Sequence, residues 1–179
     1  MNIRKRINAR KVALSYIYQH CFFGNLLHHK SAIDESLFID NIFQTQTEKF
    51  AKEKDDFLEK IEIYHQFPFE EHVEEFVETF FDEWTKEDID FDYLLKVVPA
   101  TFTLESELRE EVNKYAQTFS YDDMDVIDRG LFLLGYAEWK VLQTPKEVII
   151  NELIELAKRY SDEGAPRLLN GIMHKIIMN

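Results

Sequence analysis

Apolar side chains recur three and four positions apart along most of this chain, and alternation with a period of two persists nowhere. That spacing puts the apolar side chains on one face of an α-helix, so the sequence predicts helices. Glycine and proline, which are frequent in loop-rich β folds, number only 5 and 4. The 179 residues, 45% of them hydrophobic, are enough to bury a sizeable core. We therefore expect an all-α protein, a packed helical bundle with short connections.

The clearest helical patterns lie at the two ends of the chain. A first helix is predicted from Ala9 to Phe23, with Asn8 as its N-cap and Gly24-Asn25 as its end. Further helices are predicted over Leu104–Phe119, Asp125–Gln143, Lys146–Tyr160 and Pro166–Met178. Thr144-Pro145-Lys146-Glu147 has the pattern of a capping box. Gly171 lies inside the last helix, which we attribute to the close approach of a neighbouring helix.

The middle of the chain, from Ser31 to about Leu95, reads as helical and acidic. Phe67-Pro68 should break it, because the residue before a proline avoids the helical region. Five glutamates are expected to form one solvated face: Glu70, Glu71, Glu74, Glu75 and Glu78. Four aromatic residues close by are interpreted as core rather than as a platform for stacking bases: Phe76, Phe80, Phe81 and Trp84.

Charge is distributed unevenly along this acidic chain, whose formal net charge is −13. Six of the 21 Lys and Arg residues precede Asp34, and all 34 acids lie from Asp34 onward. Cations at the start of a helix oppose the helix dipole by about 0.3–1 kcal/mol. One explanation is a polyanion, because phosphates attract Lys and Arg. The alternative is a set of solvated charges, or cations that pair with the acidic body.

Other residue types point to no catalytic or metal chemistry. The single cysteine, Cys21, excludes an internal disulfide, fits a reducing compartment and is interpreted as a core residue. Glu62 and His65 have Glu-x-x-His spacing, but a di-iron site needs a second such pair. His28-His29 is interpreted as a solvated loop. We expect no secretory leader, and no apolar run is long enough to span a membrane.

Three stretches of the chain resemble the NusB family of bacterial transcription antitermination factors. Ile7–Gln19 reads INARKVALSYIYQ, like an arginine-rich start that runs into an alanine-rich helix. Val126–Trp139 reads VIDRGLFLLGYAEW, with Asp-Arg, an apolar run and Tyr-Ala-Glu. Thr144–Ile177 contains Thr-Pro, Asn-Glu, Glu-Leu-Ala-Lys and Asn-Gly in the family's order.

The resemblance implies a NusB-like fold of two packed three-helix subdomains, here with an enlarged acidic middle. Residues 1–179 would form a single domain, with the N-terminal subdomain to about residue 100 and the C-terminal one from about 101. It implies no catalysis and no cofactor. It implies binding of boxA-type single-stranded RNA together with ribosomal protein NusE. Other Nus factors and RNA polymerase would complete a cytoplasmic complex that reads through terminators, notably in ribosomal RNA operons.

The resemblance also carries site residues over to this chain. RNA contact is implied for seven positions: Arg4, Lys5, Arg6, Arg10, Lys11, Arg167 and Leu168. Leu168 stands where the family often has an aromatic residue, so one stacking contact, about 1–3 kcal/mol per base, would be weaker. Asp162 and Glu163 would repel phosphate. Tyr18 and Asp128 match positions that face NusE, and the resemblance implies a structural role for Asn151, Glu152, Asn170 and Gly171.

Two alternatives stay open at the level of the sequence. The chain could be a protein-interaction module that has the NusB fold and binds RNA weakly or not at all, which the acidic body and Leu168 favour. It could also resemble the helical domain found fused to RNA methyltransferases, although no cofactor-binding glycine motif is present. Fold alone does not separate these functions.

Overall fold

The computed structural model describes residues 2–29, 47–116 and 119–178, and the backbone of these residues contains α-helices and short 3-10 turns but no strand. Seven α-helices lie in this part of the chain: α1 (Ile3–His28), α2 (Thr47–Gln66), α3 (Phe69–Phe80), α4 (Phe91–Tyr115), α5 (Val126–Leu142), α6 (Lys146–Tyr160) and α7 (Ala165–Met178). The predicted all-α class is confirmed. The helical pattern over 32–46 falls outside the described residues.

The first helix is longer at both ends than the sequence predicts. Its N-cap is Asn2, whose side-chain oxygen accepts a hydrogen bond from the backbone N–H of Arg4 at 3.1 Å. The predicted cap is wrong because the Asn8 side chain instead donates to the carbonyl oxygen of Asp88 at 3.1 Å. The predicted end is also wrong, since Gly24 continues the helix without a positive φ.

Other predicted helix boundaries are correct where local backbone geometry determines them. Phe67-Pro68 separates α2 from α3, as proline geometry requires. The predicted helix over Asp125–Gln143 is observed as α5, which ends at Gln143 with a φ of 52°. The predicted capping box before α6 does not form. Pro145 occupies the cap position without a side-chain bond, and the Thr144 side chain hydrogen-bonds with Glu138 instead.

The chain divides into two compact units. One unit takes in the chain up to Tyr18 and from Phe69 onward, and the other runs from Gln19 to Pro68. In the second unit α2 buries Leu58 and Ile61, and the rings of His20 and His65 stack with centroids 3.8 Å apart. Burial lowers the pKa of His20 to about 4, and the neighbouring His65 adds to the effect. The proposed division at about residue 100 stays a prediction.

Helix α5 forms the centre of the first unit. Its residues from Gly130 to Glu138 are all buried, against α4, α6 and α7. At Gly135 the neighbouring helix comes very close, because an added Cβ would lie 2.3 Å from Cδ1 of Leu153. The close approach predicted for Gly171 is wrong, since an added Cβ there would meet nothing within 4 Å.

These two glycines give a matched pair of variants. Gly171→Ala should raise the free energy of unfolding by about 0.5–1 kcal/mol, because alanine loses less backbone entropy in an exposed helix. Gly135→Ala should lower it by about 1 kcal/mol or more, because the methyl group overfills the contact with α6. Urea unfolding monitored by circular dichroism measures both changes. A gain in stability at Gly135 would contradict the packing described here.

Candidate nucleic-acid interface

The cations at the start of α1 fall into two classes in the structure. Arg6 and Arg10 form ion pairs with carboxylates from other elements. Arg4 is exposed, and Lys5 and Lys11 are half-buried. None of these last three forms an ion pair with a residue that the structure describes. Two of the five predicted phosphate contacts are therefore occupied inside the protein, and three face outward.

Arg10 lies in the core, where only 5% of the residue is exposed. Its Nε and Nη2 atoms donate to the two carboxylate oxygens of Glu138 at 2.9 and 2.7 Å. Nη1 donates to Glu152 at 3.1 Å, and the hydroxyl of Tyr93 donates to Glu138 at 2.7 Å. Three guanidinium N–H groups of Arg10 are thus used within the protein, while Arg10 also lines the cavity that it shares with Lys11. Its role as an RNA contact stays a prediction.

In this buried pair, the charge of each residue stabilises the ionised form of the other. Burial opposes ionisation of Glu138, but the hydrogen bonds and charge of Arg10 outweigh it and hold the pKa of Glu138 below its ordinary value. Burial likewise opposes the charge of Arg10, yet the contacts with Glu138 raise the pKa of Arg10. Burial and the Glu138 charge raise the pKa of Tyr93, which therefore stays a hydrogen-bond donor.

Arg6 is held more loosely at the start of α4. Its Nε donates to Oδ2 of Asp90 at 2.9 Å, and the two side chains are 15% and 20% exposed. The Arg6 guanidinium also lies over the ring of Tyr93, 4.7 Å from the centroid. Asp90 caps α4 as well, because its Oδ1 accepts from the backbone N–H of Tyr93 at 3.1 Å.

The open cations lie where α1 meets the turn before α4. The carbonyl oxygen of Lys5 accepts from the backbone N–H of Asp90 at 3.3 Å. Hydrogen bonds from Thr85 lower the pKa of Asp88, and the charges of Arg4 and Lys5 contribute. Farther along α1, the Lys11 ammonium lies 5.5 Å from the ring centroid of Trp84.

A cavity of about 310 Å³ extends this basic surface onto α6. Its lining includes Lys11 from α1 together with Lys158 and Arg159 from the last turn of α6. Lys158 pairs with Glu155 at 2.6 Å, and Arg159 lies over the ring of Tyr160 at 5.4 Å. Sequence reasoning missed Arg159 as a neighbour of the N-terminal cations, because only the fold brings α6 beside α1.

The second predicted RNA zone lies at the start of α7. Arg167 is exposed and Leu168 is half-buried, so only the first offers a freely accessible charge. Asp162 is exposed, but its Oδ1 accepts from the backbone N–H groups of Gly164 at 2.7 Å and Ala165 at 2.9 Å. Asp162 therefore caps α7 in addition to adding negative charge beside Arg167.

The two predicted NusE-facing residues have different environments. Tyr18 is 41% exposed and lines a cavity of about 350 Å³ with Leu14, Ser15, Ile127 and Tyr160. Asp128 is 7% exposed and accepts a hydrogen bond from the hydroxyl of Ser161 at 2.6 Å. Burial raises the pKa of Asp128, the Ser161 hydrogen bond opposes this, and nearby carboxylates add to it.

The remaining candidate groups are accounted for within the described residues. No set of three or more His, Cys, Asp or Glu side chains there is arranged to hold a metal ion, and Glu62 and His65 belong to no such set among these residues. No described helix is long and apolar enough to cross a membrane. Among the aromatics assigned to the core, Phe76 is buried, whereas Phe80 is 58% exposed. Phe81 and Trp84 are half-buried.

Removing the Arg10 guanidinium should show that it is structural. Arg10→Met leaves the Glu138 carboxylate buried without its cation, and we expect the free energy of unfolding to fall by about 3–5 kcal/mol. Arg4→Met, a matched change at an exposed position of the same helix, should alter it by about 0.5 kcal/mol or less. Urea denaturation at neutral pH measures both. Equal effects of the two variants would contradict the buried ion pair.

Asp128 should impose a pH dependence on stability. Because its folded pKa lies above its unfolded value, its contribution to stability is fully present below the unfolded pKa and is lost as the pH rises through the folded pKa. Asp128→Asn keeps an acceptor for Ser161 and cannot ionise. It should therefore be more stable than the original chain at neutral pH, with the difference shrinking below about pH 4. Asp82→Asn, a control at an exposed position that is not among the carboxylates acting on Asp128, should not give this gain in thermal unfolding.

Comparison with known proteins gives a consistent family assignment. A model of the NusB family matches residues 56–178. Proteins named transcription antitermination protein NusB are similar over shorter stretches: 31% identical over 85 residues in Gloeothece citriformis, 32% over 85 in Microcystis aeruginosa and 35% over 69 in Sulfurovum sp.. These stretches cover 48%, 48% and 38% of this chain and 40%, 39% and 53% of the relatives. The match thus spans about half or less of each relative's length.

A solved structure described as T. maritima NusB resembles the whole fold. The two structures superpose with a TM-score of 0.58 at 19% sequence identity, over 97% of this chain and 91% of that one. The similarity confirms the NusB-like fold predicted from the three sequence stretches.

Proposed function

Since the chain belongs to the NusB family, we propose that it is an RNA-binding transcription antitermination factor that recognises boxA-like single-stranded RNA. NusE, other Nus factors and RNA polymerase are the partners of this activity, which takes place in the cytoplasm. The chain acts by binding and carries out no catalytic step. Its role is to help the polymerase read through terminators, notably in ribosomal RNA operons.

The observation that carries the proposal is the open basic surface on an otherwise acidic chain. Arg4, Lys5 and Lys11 form no ion pair with a described residue, whereas the net charge of the whole chain is −13. Lysine and arginine that neutralise phosphates release counterions, which drives the binding of nucleic acids. Arg159 adds a cation at the rim of the adjoining cavity. Phosphate contacts of this kind fix position, and base contacts then give specificity.

The RNA contact set differs from the one implied by the resemblance. Arg10 contributes less to it, because Nε, Nη1 and Nη2 each already donate a hydrogen bond to Glu138 or Glu152. Arg6 stays in the set as a secondary contact, since its side chain is partly exposed but its Nε already donates to Asp90. Arg167 and Leu168 remain proposed contacts at the start of α7. Phosphate would meet the exposed Arg167 in the first turn of α7, where the N–H groups of Gly164 and Ala165 are already bound by Asp162.

The cavity beside Tyr18 supports a separate surface for NusE. Tyr18 and Tyr160 are 41% and 44% exposed, and Ile127 belongs to the same lining. Exposed tyrosines around an apolar floor are typical of protein interfaces, where the ring packs and the hydroxyl stays solvated. Asp128 is adjacent to Ile127 and holds Ser161, so we assign it a positioning role on this surface.

The alternative function, a NusB-fold interaction module without RNA binding, has specific observations in its favour. Arg6 and Arg10 are neutralised by carboxylates, and the exposed Asp162 and Glu163 flank the second zone. On that alternative the tyrosine-lined cavity would be the functional site, and the outward cations would be solvated surface charges.

An RNA titration with a charge-matched control separates these functions. Arg4→Glu/Lys5→Glu should weaken binding of a boxA-like single strand by about tenfold or more and reduce the salt slope by about 1.4, for two lost phosphate contacts. Lys114→Glu/Lys175→Glu changes the net charge equally at exposed sites on α4 and α7, and should have a much smaller effect. Fluorescence anisotropy at two salt concentrations measures both. Equal losses in the two variants, or no RNA binding by the original chain, would contradict the proposal.

The same titration with NusE added tests the second surface. NusE should tighten RNA binding by the original chain. Tyr18→Asp should remove this tightening, because a carboxylate is costly on an apolar contact, and should leave direct RNA binding unchanged. Capture of NusE by a chain that does not bind RNA would favour the alternative function.

A further inference from the structure

A pair of stacked aromatic rings lies on the turn that follows α3. The backbone N–H of Trp84 donates to the carbonyl oxygen of Phe81 at 2.9 Å, which closes the turn. The two rings are nearly parallel, with centroids 5.1 Å apart and planes 7° apart. Both side chains are half-buried, so the stack lies at the surface of the first unit.

This aromatic turn is fixed against the basic start of α1. The 3-10 turn after it, Lys86–Asp88, is tied to α1 by the hydrogen bond from Asn8 to the carbonyl oxygen of Asp88. The Lys11 ammonium lies 5.5 Å from the centroid of the Trp84 ring. Arg4 and Lys5 influence the pKa of Asp88, although the Thr85 hydrogen bonds matter more. An indole and three outward cations therefore occupy one surface.

We propose that Trp84 is a base-stacking residue of this chain, and that Lys11 moves from its ring to the phosphate of the same nucleotide. The inference rests on the proposed RNA-binding function. A nucleotide has two groups that this surface can bind. Its base has a π face that can stack on the indole, and its phosphate has a negative charge that can pair with the lysine. Stacking of a base on an aromatic ring is stronger than an exposed cation–π contact, so the exchange favours binding.

The proposal also explains how the chain retains base affinity without an aromatic residue at position 168. Leu168 is half-buried and has no π face for stacking. Trp84 provides one on a different element, next to the phosphate-binding cations. Recognition of single-stranded RNA depends on aromatic stacking of this kind, with phosphate contacts alongside.

The fluorescence of Trp84 provides a direct test, because the chain contains only two tryptophans. Trp139→Phe leaves Trp84 as the single indole. An oligouridylate should quench its fluorescence on binding. An abasic strand of the same length should bind more weakly and quench it far less, since it offers phosphates to Lys11 but no base to stack. Binding of the oligouridylate without quenching would overturn the inference and leave the proposed function intact. Failure of the original chain to bind the oligouridylate would overturn the inference, and failure to bind a boxA-like strand as well would overturn the proposed function with it.

Affinity measurements on variants give a second test. Trp84→Leu should lose about tenfold in affinity for the oligouridylate and little for the abasic strand, whereas Trp84→Phe should keep most of the affinity. Trp139→Leu is the matched control, since this half-buried indole also has a lysine ammonium over its ring, that of Lys140 at 4.9 Å. Equal losses in Trp84→Leu and Trp139→Leu, or an unchanged affinity in Trp84→Leu, would overturn the inference. Should Trp84→Leu fail to fold, Trp84→Phe and the single-indole variant still decide it.

Discussion

The buried ion pair of Arg10 and Glu138 connects α1 to α5 in the core of the first unit. Both donors of a guanidinium edge meet both oxygens of one carboxylate, which is the strongest geometry available to such a pair. Tyr93 from α4 and Glu152 from α6 complete the network. Side chains from four helices, α1, α4, α5 and α6, are therefore joined by hydrogen bonds. Taking two charges out of water is costly, and here the remaining hydrogen bonds compensate for it. The arrangement links α1 to α4, α5 and α6 at a residue that directly precedes Lys11.

The sequence predicted those features that depend on local chemistry or on long patterns. The break at Phe67-Pro68 follows from proline geometry, and α5 follows from its apolar run. Predictions that gave one residue a local role were wrong when a distant partner competed for it. Asn8 bonds the Asp88 carbonyl and Thr144 bonds Glu138, so neither side chain caps its own helix. Gly135, rather than Gly171, lies at the close helix contact, because spacing along α7 does not show which face meets a neighbour.

The candidate site was predictable as a cluster of cations but not as a set of contacts. Composition shows that the start of the chain is basic, and it cannot show that two of the five cations are neutralised inside. One signal was available: Glu138 stands inside an apolar run, and a carboxylate seldom lies there unless it is paired. The identity of its partner needed the fold. The same holds for Trp84 and Arg159, which come from elements far from α1 in sequence and lie beside it in space.

The two oxygens of Asp90 give Arg6 a freedom that Arg10 lacks. Oδ1 caps α4, while Oδ2 accepts the hydrogen bond from Arg6. A competing anion that drew the Arg6 side chain outward would leave the helix cap in place, because the two bonds use separate atoms. Arg10 cannot change partners in this way, because without it the Glu138 carboxylate would be buried with no cation beside it. One terminus of a single helix therefore combines a permanent anchor with an arginine that is free to change partners.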